Sequence, residues 1–188
     1  AHIIISVWPN FGNKTDINKE LKDKNLLLDF KTYPEQAKVY DPFHPEARDI
    51  FWRHMNQGLF QLGIDGWWLD ATEPEFSDND RKMDQPTHDG LYRSVYNAFP
   101  ITTVGGVYDH QRAVCQDKRV FILTRSAFAG QQRYGACSWS GDIMSTWEVL
   151  RKQIPAGLNF SISGIPYWNT DIGGFVTSKS KVEILKHG

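Results

Sequence analysis

Ionisable side chains follow four short apolar runs of the chain, at the points where each run turns polar. They are Asp70, Arg125, Asp142 and Asp171. A carboxylate can attack or stabilise a cationic centre or transfer a proton, and a guanidinium beside it favours its ionised form. Because the carboxyl ends of parallel strands lie on one face of a sheet or barrel, we expect these residues to meet there although they are distant in sequence.

Asp70 stands directly behind bulky aromatic and apolar residues. Such surroundings remove water from a carboxylate, which is costly unless a partner is present. Glu73 and Glu75 complete a group of three acids within six residues, and these repel one another without a nearby cation. Arg125 is the natural candidate for that cation. The alternative is that Asp70 only caps a following helix.

Asp142 and Asp171 each allow a structural and a chemical interpretation. Asp142 follows Gly141, which permits a sharp turn, and could cap the next predicted helix. Paired with Asp70 on one barrel face, however, it suits glycosidic bond cleavage, where one carboxylate attacks or stabilises and the other donates a proton. Asp171 could be a turn residue that bonds its own backbone, or could accept hydrogen bonds from substrate hydroxyls.

The elements that would position these residues alternate between short β-branched runs and longer helical stretches. This rhythm is typical of βα units and a parallel sheet. Strands are predicted at residues 3–8, 64–69, 120–124, 134–139 and 164–168. Helices are predicted at residues 46–62, 92–99, 104–114 and 145–154, the last of them ended by Pro155. Residues 13–24 and 77–89 are predicted as polar surface segments, and residues 177–188 as a helix start or a frayed end.

The composition is that of an ordinary globular domain. Among 188 residues, 40% are hydrophobic and 23% are charged, and the net charge is −1. This balance disfavours a nucleic-acid or membrane-surface role, and no run of about 18 apolar residues predicts a membrane span. Aromatic residues reach 13%, which suits a core and also suits sites that stack sugar rings. Cys115 and Cys137 are predicted to be reduced packing residues.

Four ordered blocks of the sequence resemble glycoside hydrolase family 31. Residues 67–75 (WWLDATEPE) resemble the nucleophile segment of the family, and residues 119–130 (RVFILTRSAFAG) resemble its substrate-binding arginine segment. Residues 139–142 (WSGD) are similar to its acid/base segment, and residues 164–175 to its next strand and loop. Together the blocks span most of the chain.

The resemblance implies a retaining exo-acting α-glycosidase on a (β/α)8 barrel that cleaves a sugar from a non-reducing end. Asp70 then corresponds to the nucleophile and Asp142 to the general acid/base. The resemblance further implies five substrate-binding residues: Trp68, Arg125, Trp139, Asp171 and Phe175. It implies no metal ion and no organic cofactor.

The substrate is expected to be an oligosaccharide with an α-linked terminal xylose or glucose. Ala71 and Thr72 stand where α-glucosidases of the family commonly have Met and Asn, and this version resembles bacterial α-xylosidases that trim xyloglucan side chains. We therefore favour α-xylosidase over α-glucosidase activity. A metal-dependent hydrolase is a poor alternative, because the histidines form neither HxH nor HExxH.

The predicted fold class is α/β, as a partial (β/α)8 barrel of about five parallel strands. A complete barrel typically needs about 250 residues. Residues 1–188 are therefore expected to be the central and later part of a catalytic domain, with the rest of the barrel and flanking β-domains as partners. A subsite acid and a subsite histidine of the family find no match here, since His187 lacks the required context. The isolated piece could instead be inactive and purely structural or carbohydrate-binding. The sequence is compatible with a secreted or periplasmic bacterial protein and equally with a cytoplasmic one.

Overall fold

The computed structural model describes residues 1–30, 32–74 and 82–176. In these residues the strands are β1 (Ile4–Val7), β2 (Asn10–Gly12), β3 (Ala37–Val39), β4 (Gly66–Leu69), β5 (Pro86–Thr87), β6 (Gly90–Leu91), β7 (Ile122–Thr124), β8 (Cys137–Trp139) and β9 (Trp168–Asn169). The α-helices are α1 (Asp16–Asp23), α2 (Pro45–Gly58), α3 (Tyr92–Val95), α4 (Phe99–Val114) and α5 (Trp147–Ile162).

Five strands form one parallel sheet in the order β1-β4-β7-β8-β9. Ser6 pairs with Trp68, Trp68 with Leu123 and Leu123 with Cys137, so neighbouring strands run in step. α-Helices lie in the connections β1–β4, β4–β7 and β8–β9, as the alternating pattern predicts, whereas β7 and β8 are joined by a loop with a 3₁₀ turn. The prediction of a partial (β/α) barrel with about five parallel strands is confirmed. The carboxyl ends of all five strands therefore lie at the same edge of the sheet.

The outer face of the sheet carries the hydrophobic core, against α2 and α4. Trp67 is fully buried there, and its indole donates a 2.7 Å hydrogen bond to Gln111 Oε1 on α4. Trp52 of α2 packs edge-on against Trp67 with ring centroids 6.0 Å apart. Since side chains alternate along a strand, the neighbour Trp68 must point to the opposite, inner face. The core thus fixes which strand residues can reach a site.

The predicted surface segment at residues 13–24 is mostly exposed and folds as the helix α1, which buries one face. Thr15 caps this helix by accepting a hydrogen bond from Asn18 N, and Ile17 and Leu21 are buried. These two apolar residues are four apart, which places them on one helix face. Their burial against the core outweighs the polar composition of the rest.

Proline and glycine do not interrupt the helices where the sequence suggested. α5 continues through Pro155 to Ile162, and Trp168 packs so closely on Gly157 that an added Cβ would lie 2.6 Å from its ring. The Gly105–Gly106 pair lies inside α4, where Tyr134 and Arg48 occupy the space that a side chain at these positions would need.

Other predicted boundaries shift by a few residues. The predicted helix 46–62 is α2 followed by a 3₁₀ turn at Phe60–Leu62, and α3 and α4 are joined by a 3₁₀ turn at Tyr96–Ala98. The strand predicted at residues 134–139 begins at Cys137, after a 3₁₀ turn at Gln131–Tyr134. The last strand begins at Trp168, since Gly164 adopts a left-handed conformation and Pro166 has no N–H to donate. Residues 77–81 and 177–188 lie outside the described residues.

In the described part of the chain the sheet is not closed into a barrel and has two edges. β1 and β9 are its edge strands. α5 exposes a row of apolar side chains spaced three or four apart: Trp147, Leu150, Ile154, Leu158 and Ile162. Such a row normally packs against another element. Both cysteines are free, as predicted. In the described residues no helix is long and apolar enough to span a membrane.

Candidate active site

Asp70 directly follows β4, at the carboxyl ends of the parallel strands. Its N–H donates to Val7 O of the neighbouring strand at 3.1 Å, and its Oδ1 accepts a 2.9 Å hydrogen bond from Ala71 N. Ala71 is in the left-handed region with φ 51°, which turns the chain sharply after the aspartate. Residues 71–74, which directly follow Asp70, form a turn and a bend and not a helix. The capping alternative for Asp70 is therefore wrong.

Arg125 brings the acidic residues together. Its Nε lies 3.5 Å from Asp70 Oδ1 and also hydrogen-bonds Glu73, and its Nη1 lies 3.9 Å from Asp142 Oδ1. The arginine side chain is only 10% exposed, so water screens these contacts weakly. The structure thus places the expected cation among Asp70, Glu73 and Asp142, while Glu75 lies outside the described residues.

Asp142 projects from the loop after β8. Gly141, with φ 70°, makes the turn that carries it out of the strand. The N-cap of α5 is Thr146, whose hydroxyl accepts a hydrogen bond from Val149 N, so the capping alternative for Asp142 is also wrong. The Asp142 side chain is 44% exposed, against 13% for Asp70. One carboxylate is therefore held inside the site and the other is open to solvent.

Asp171 follows β9 and lies within electrostatic reach of Asp142. Burial, and secondarily the negative charge of Asp142, raise the pKa of Asp171 above its usual value. Its carbonyl accepts a 2.8 Å hydrogen bond from Gly174 N, which closes a turn. The turn and the recognition roles are thus compatible, because the turn uses the backbone and leaves the carboxylate available.

The loops that carry Asp142 and Phe175 are fastened to each other. Phe175 N donates to Ile143 O at 2.9 Å, and Ser145 N donates to Val176 O at 2.9 Å. A Cβ on Gly174, whose φ is 79°, would lie 2.5 Å from the Ser145 backbone, so only glycine allows this approach. The Phe175 side chain is exposed beside the Asp142 loop.

Two tryptophans from different strands meet on the inner face of the sheet. The rings of Trp68 and Trp139 lie 5.9 Å apart at 74°. Trp68 remains 38% exposed, whereas Trp139 is buried. Flat aromatic surfaces beside carboxylates suit the apolar face of a sugar ring. All seven predicted site residues therefore lie at or beside the carboxyl ends of β4, β7, β8 and β9.

Sequence reasoning missed a second aromatic pair at this end of the sheet. Trp8 directly follows β1, next to Asp70 in strand register, and its ring centroid lies 6.2 Å from that of Tyr33. An aromatic residue after an apolar strand run was a usable signal for Trp8. No such signal marked Tyr33, because it lies in the connection between α1 and β3 and does not follow a predicted strand. In the described residues no cluster of three or more metal-binding side chains occurs.

The charge of Asp142 is expected to act on Asp171. In the variant Asp142→Asn the pKa of Asp171 falls, because the nearby negative charge is gone, but it stays above the usual value because burial remains. A ¹³C titration of labelled aspartate carboxyls measures this, with Asp171→Asn assigning the resonance. Asp109→Asn, which removes an exposed charge on α4, serves as the control and leaves the Asp171 titration unchanged. An unaltered pKa in Asp142→Asn would contradict the placement of the pair.

Comparison with known proteins agrees with this fold and this arrangement of residues. Residues 1–186 match the glycosyl hydrolases family 31 TIM-barrel domain, and the chain belongs to this family. It is 45% identical to an alpha-xylosidase of Saccharolobus solfataricus over 188 residues, which cover 97% of this chain and 24% of that protein. It is 34% identical to alpha-glucosidase 2 of Bacillus thermoamyloliquefaciens, covering 77% of this chain and 19% of that protein.

A solved structure shows the same fold. The crystal structure of the GH31 alpha-xylosidase from Xanthomonas citri superposes with a TM-score of 0.88 at 37% identity, covering 100% of this chain and 22% of that chain. The chain thus spans about a quarter of the length of these relatives.

Proposed function

We propose that this chain is the catalytic segment of a retaining α-glycosidase, with Asp70 as the nucleophile and Asp142 as the general acid/base. One observation carries the proposal: both carboxylates lie near the same largely buried guanidinium, that of Arg125, although they follow different strands. Two carboxyl groups on either side of a glycosidic bond are the requirement for its cleavage. A separation of about 5–5.5 Å between them is typical of retention.

In the first step a carboxylate oxygen of Asp70 bonds to the anomeric carbon as the glycosidic C–O bond breaks. Asp142, protonated, gives its proton to the departing oxygen, which leaves as an alcohol. The products are a glycosyl ester on Asp70, the released alcohol and an ionised Asp142. Burial of Asp70 against Arg125 and the backbone N–H of Ala71 holds its attacking carboxylate in place.

In the second step the ionised Asp142 takes a proton from water. The resulting hydroxide equivalent bonds to the anomeric carbon, and the ester bond to Asp70 breaks. This releases the sugar and restores both side chains to their starting protonation states. The 44% exposure of the Asp142 side chain suits this step, since water must reach it.

The remaining site residues would bind the sugar. Asp171 would accept hydrogen bonds from its hydroxyls, and Arg125 would donate to them while holding Asp70. Trp68, Trp139 and Phe175 would line the cavity with apolar surface. The proposed reaction uses only these side chains and water.

The favoured substrate is an oligosaccharide with a non-reducing terminal α-xylose. Relatives named α-xylosidases reach 45% identity in sequence and a TM-score of 0.88 in structure. Another solved relative, from a soil metagenome, is a GH31 alpha-xylosidase complexed with xylose, at 37% identity. An α-glucoside is the alternative, supported by the relative named alpha-glucosidase 2.

We further propose that residues 1–188 are the central and later part of the catalytic barrel of a longer protein. The edges at β1 and β9 and the exposed apolar row on α5 are surfaces that the remaining strands and helices of a closed barrel would cover. Flanking β-domains would complete the enzyme. By itself the segment would lack part of the site and serve a structural or weak sugar-binding role.

The test is the stereochemistry of hydrolysis by the complete enzyme that carries this chain. With an aryl α-xyloside, ¹H NMR is expected to show α-xylose as the first product, before mutarotation. First appearance of β-xylose would overturn the double-displacement mechanism. A kcat/KM for the aryl α-glucoside that exceeds that for the α-xyloside would instead assign the alternative substrate.

A further inference from the structure

Three hydroxyl side chains connect the loop after β4 with the loop after β7. Thr72 Oγ1 lies 2.6 Å from Thr124 Oγ1 and also hydrogen-bonds Ser126 Oγ. Thr72 and Thr124 are both completely buried. A hydroxyl has one donor and two acceptor positions, so Thr72 can donate to one neighbour and accept from the other. We call Thr72, Thr124 and Ser126 the hydroxyl clamp.

The residues of the hydroxyl clamp are close neighbours in sequence of the residues that form the ion pair between Arg125 and the acids of the β4 loop. On one side, Thr124 and Ser126 are the residues before and after Arg125. On the other side, Thr72 stands between Asp70 and Glu73, both of which contact the guanidinium. The hydroxyl clamp therefore holds together the two backbone segments that carry the ion pair, one with Asp70 and Glu73 and the other with Arg125.

The hydroxyl clamp lies at the point where the backbone pairing between β4 and β7 ends. The parallel pairing of β4 with β7 ends at Leu69 and Thr124, one residue before Asp70 and Arg125. The left-handed turn at Ala71 brings Thr72 back toward β7. Beyond the clamp, the buried Gln131 donates from Nε2 to Ser126 O at 3.0 Å and holds that end of the loop.

We propose that Thr72 is a positioning residue, whose hydroxyl sets the Arg125 guanidinium against the Asp70 carboxylate. The inference rests on the proposed function, in which the Asp70 carboxylate is the attacking group. A buried hydroxyl that loses its partner must find another one, and the loops move to satisfy it. A displacement of about 1 Å at reacting groups can cost about 10²-fold in rate. Thr72 thus controls the rate without being a catalytic residue.

The test uses Thr72→Val in the complete enzyme, because valine keeps the shape and removes the hydroxyl. We expect kcat per active site to fall about 10- to 100-fold, with active sites counted by a mechanism-based inhibitor. Thr72→Ser keeps the hydroxyl and is expected to restore kcat close to the parental value. Ser126→Ala removes one arm of the clamp on the less buried side and is expected to give a smaller fall.

The matched control is Thr103→Val on α4. Thr103 is also completely buried, and its hydroxyl accepts a 3.1 Å hydrogen bond from the Tyr40 hydroxyl away from the site. It is expected to lower the melting temperature and leave kcat unchanged. A parental kcat in Thr72→Val, or equal falls in Thr72→Val and Thr103→Val, would overturn the positioning role. If Thr72→Val does not fold, a parental kcat in Ser126→Ala does the same.

Failure of this inference is distinguishable from failure of the proposed function. If the parental enzyme hydrolyses an α-glycoside with retention and Thr72→Val is unimpaired, only the positioning role falls. If the parental enzyme has no such activity, the proposed function falls first. The double variant Thr72→Val/Thr124→Val adds a further measure, since two members of one clamp are expected to be non-additive in kcat.

Discussion

Replacing Asp70 with alanine in the complete enzyme is expected to reduce kcat by about 10⁴-fold or more. Loss of a nucleophile removes the covalent pathway, and comparable deletions in other enzymes cost several orders of magnitude. The effect is expected for every leaving group, because the attack of Asp70 on the anomeric carbon is common to all of them. Steady-state hydrolysis of aryl α-xylosides with leaving groups of different basicity measures it.

The control for Asp70→Ala is Asp65→Asn, which alters a carboxylate near the other end of the same strand. Hydrogen bonds from Ile3 N and Lys118 lower the pKa of Asp65 to about 2. Asp65 therefore stabilises the fold above its usual pKa near 3.8, and this contribution disappears as the pH falls towards 2. Asp65→Asn is expected to lower stability at neutral pH and to leave kcat intact. Near-parental turnover in Asp70→Ala would exclude Asp70 as the nucleophile.

The strand ends were predictable because their signals are local. Buried parallel strands are continuous apolar runs, and a charged residue directly after such a run marks its carboxyl end. Asp70 and Arg125 each follow a run of this kind. Their meeting then follows from the parallel topology, since strands in register deliver neighbouring ends. The fold class and the strand-end residues Asp70, Arg125, Asp142 and Asp171 could thus be predicted from local signals, whereas Trp68, Trp139 and Phe175 were implied only by the resemblance to glycoside hydrolase family 31.

The features that sequence reasoning missed depend on distant partners. Pro155 ends a helix by local rules, yet α5 passes it, and Trp168 packs on Gly157 in the far half of the helix. The sequence marked Thr72 only through the family resemblance and gave no sign of its hydrogen bond, since the partner Thr124 lies 52 residues away. Polar residues in a buried setting are informative only once the structure identifies what they contact. Site residues were therefore more predictable than the residues that hold them.

Replacing Asp142 with alanine is expected to impair the two steps of catalysis unequally. Without a proton donor, substrates with basic leaving groups are expected to lose about 10²–10⁴-fold in kcat/KM, whereas an aryl glycoside with an acidic phenol loses less. Water attack also loses its base, so the glycosyl ester on Asp70 accumulates. Azide needs no deprotonation, and we expect it to restore turnover and yield the α-glycosyl azide.

Asp171→Asn separates proton transfer from sugar binding, since Asp171 lies beside Asp142 but follows a different strand. This variant is expected to raise KM, to depend little on the leaving group and to gain nothing from azide. Rescue of Asp171→Asn, or a uniform loss without rescue in Asp142→Ala, would transfer the acid/base role away from Asp142. The geometry predicts azide rescue in Asp142→Ala and none in Asp171→Asn. The Asp142 side chain is 44% exposed and open to water, whereas Asp70 is only 13% exposed and lies between β1 and the Ala71 turn.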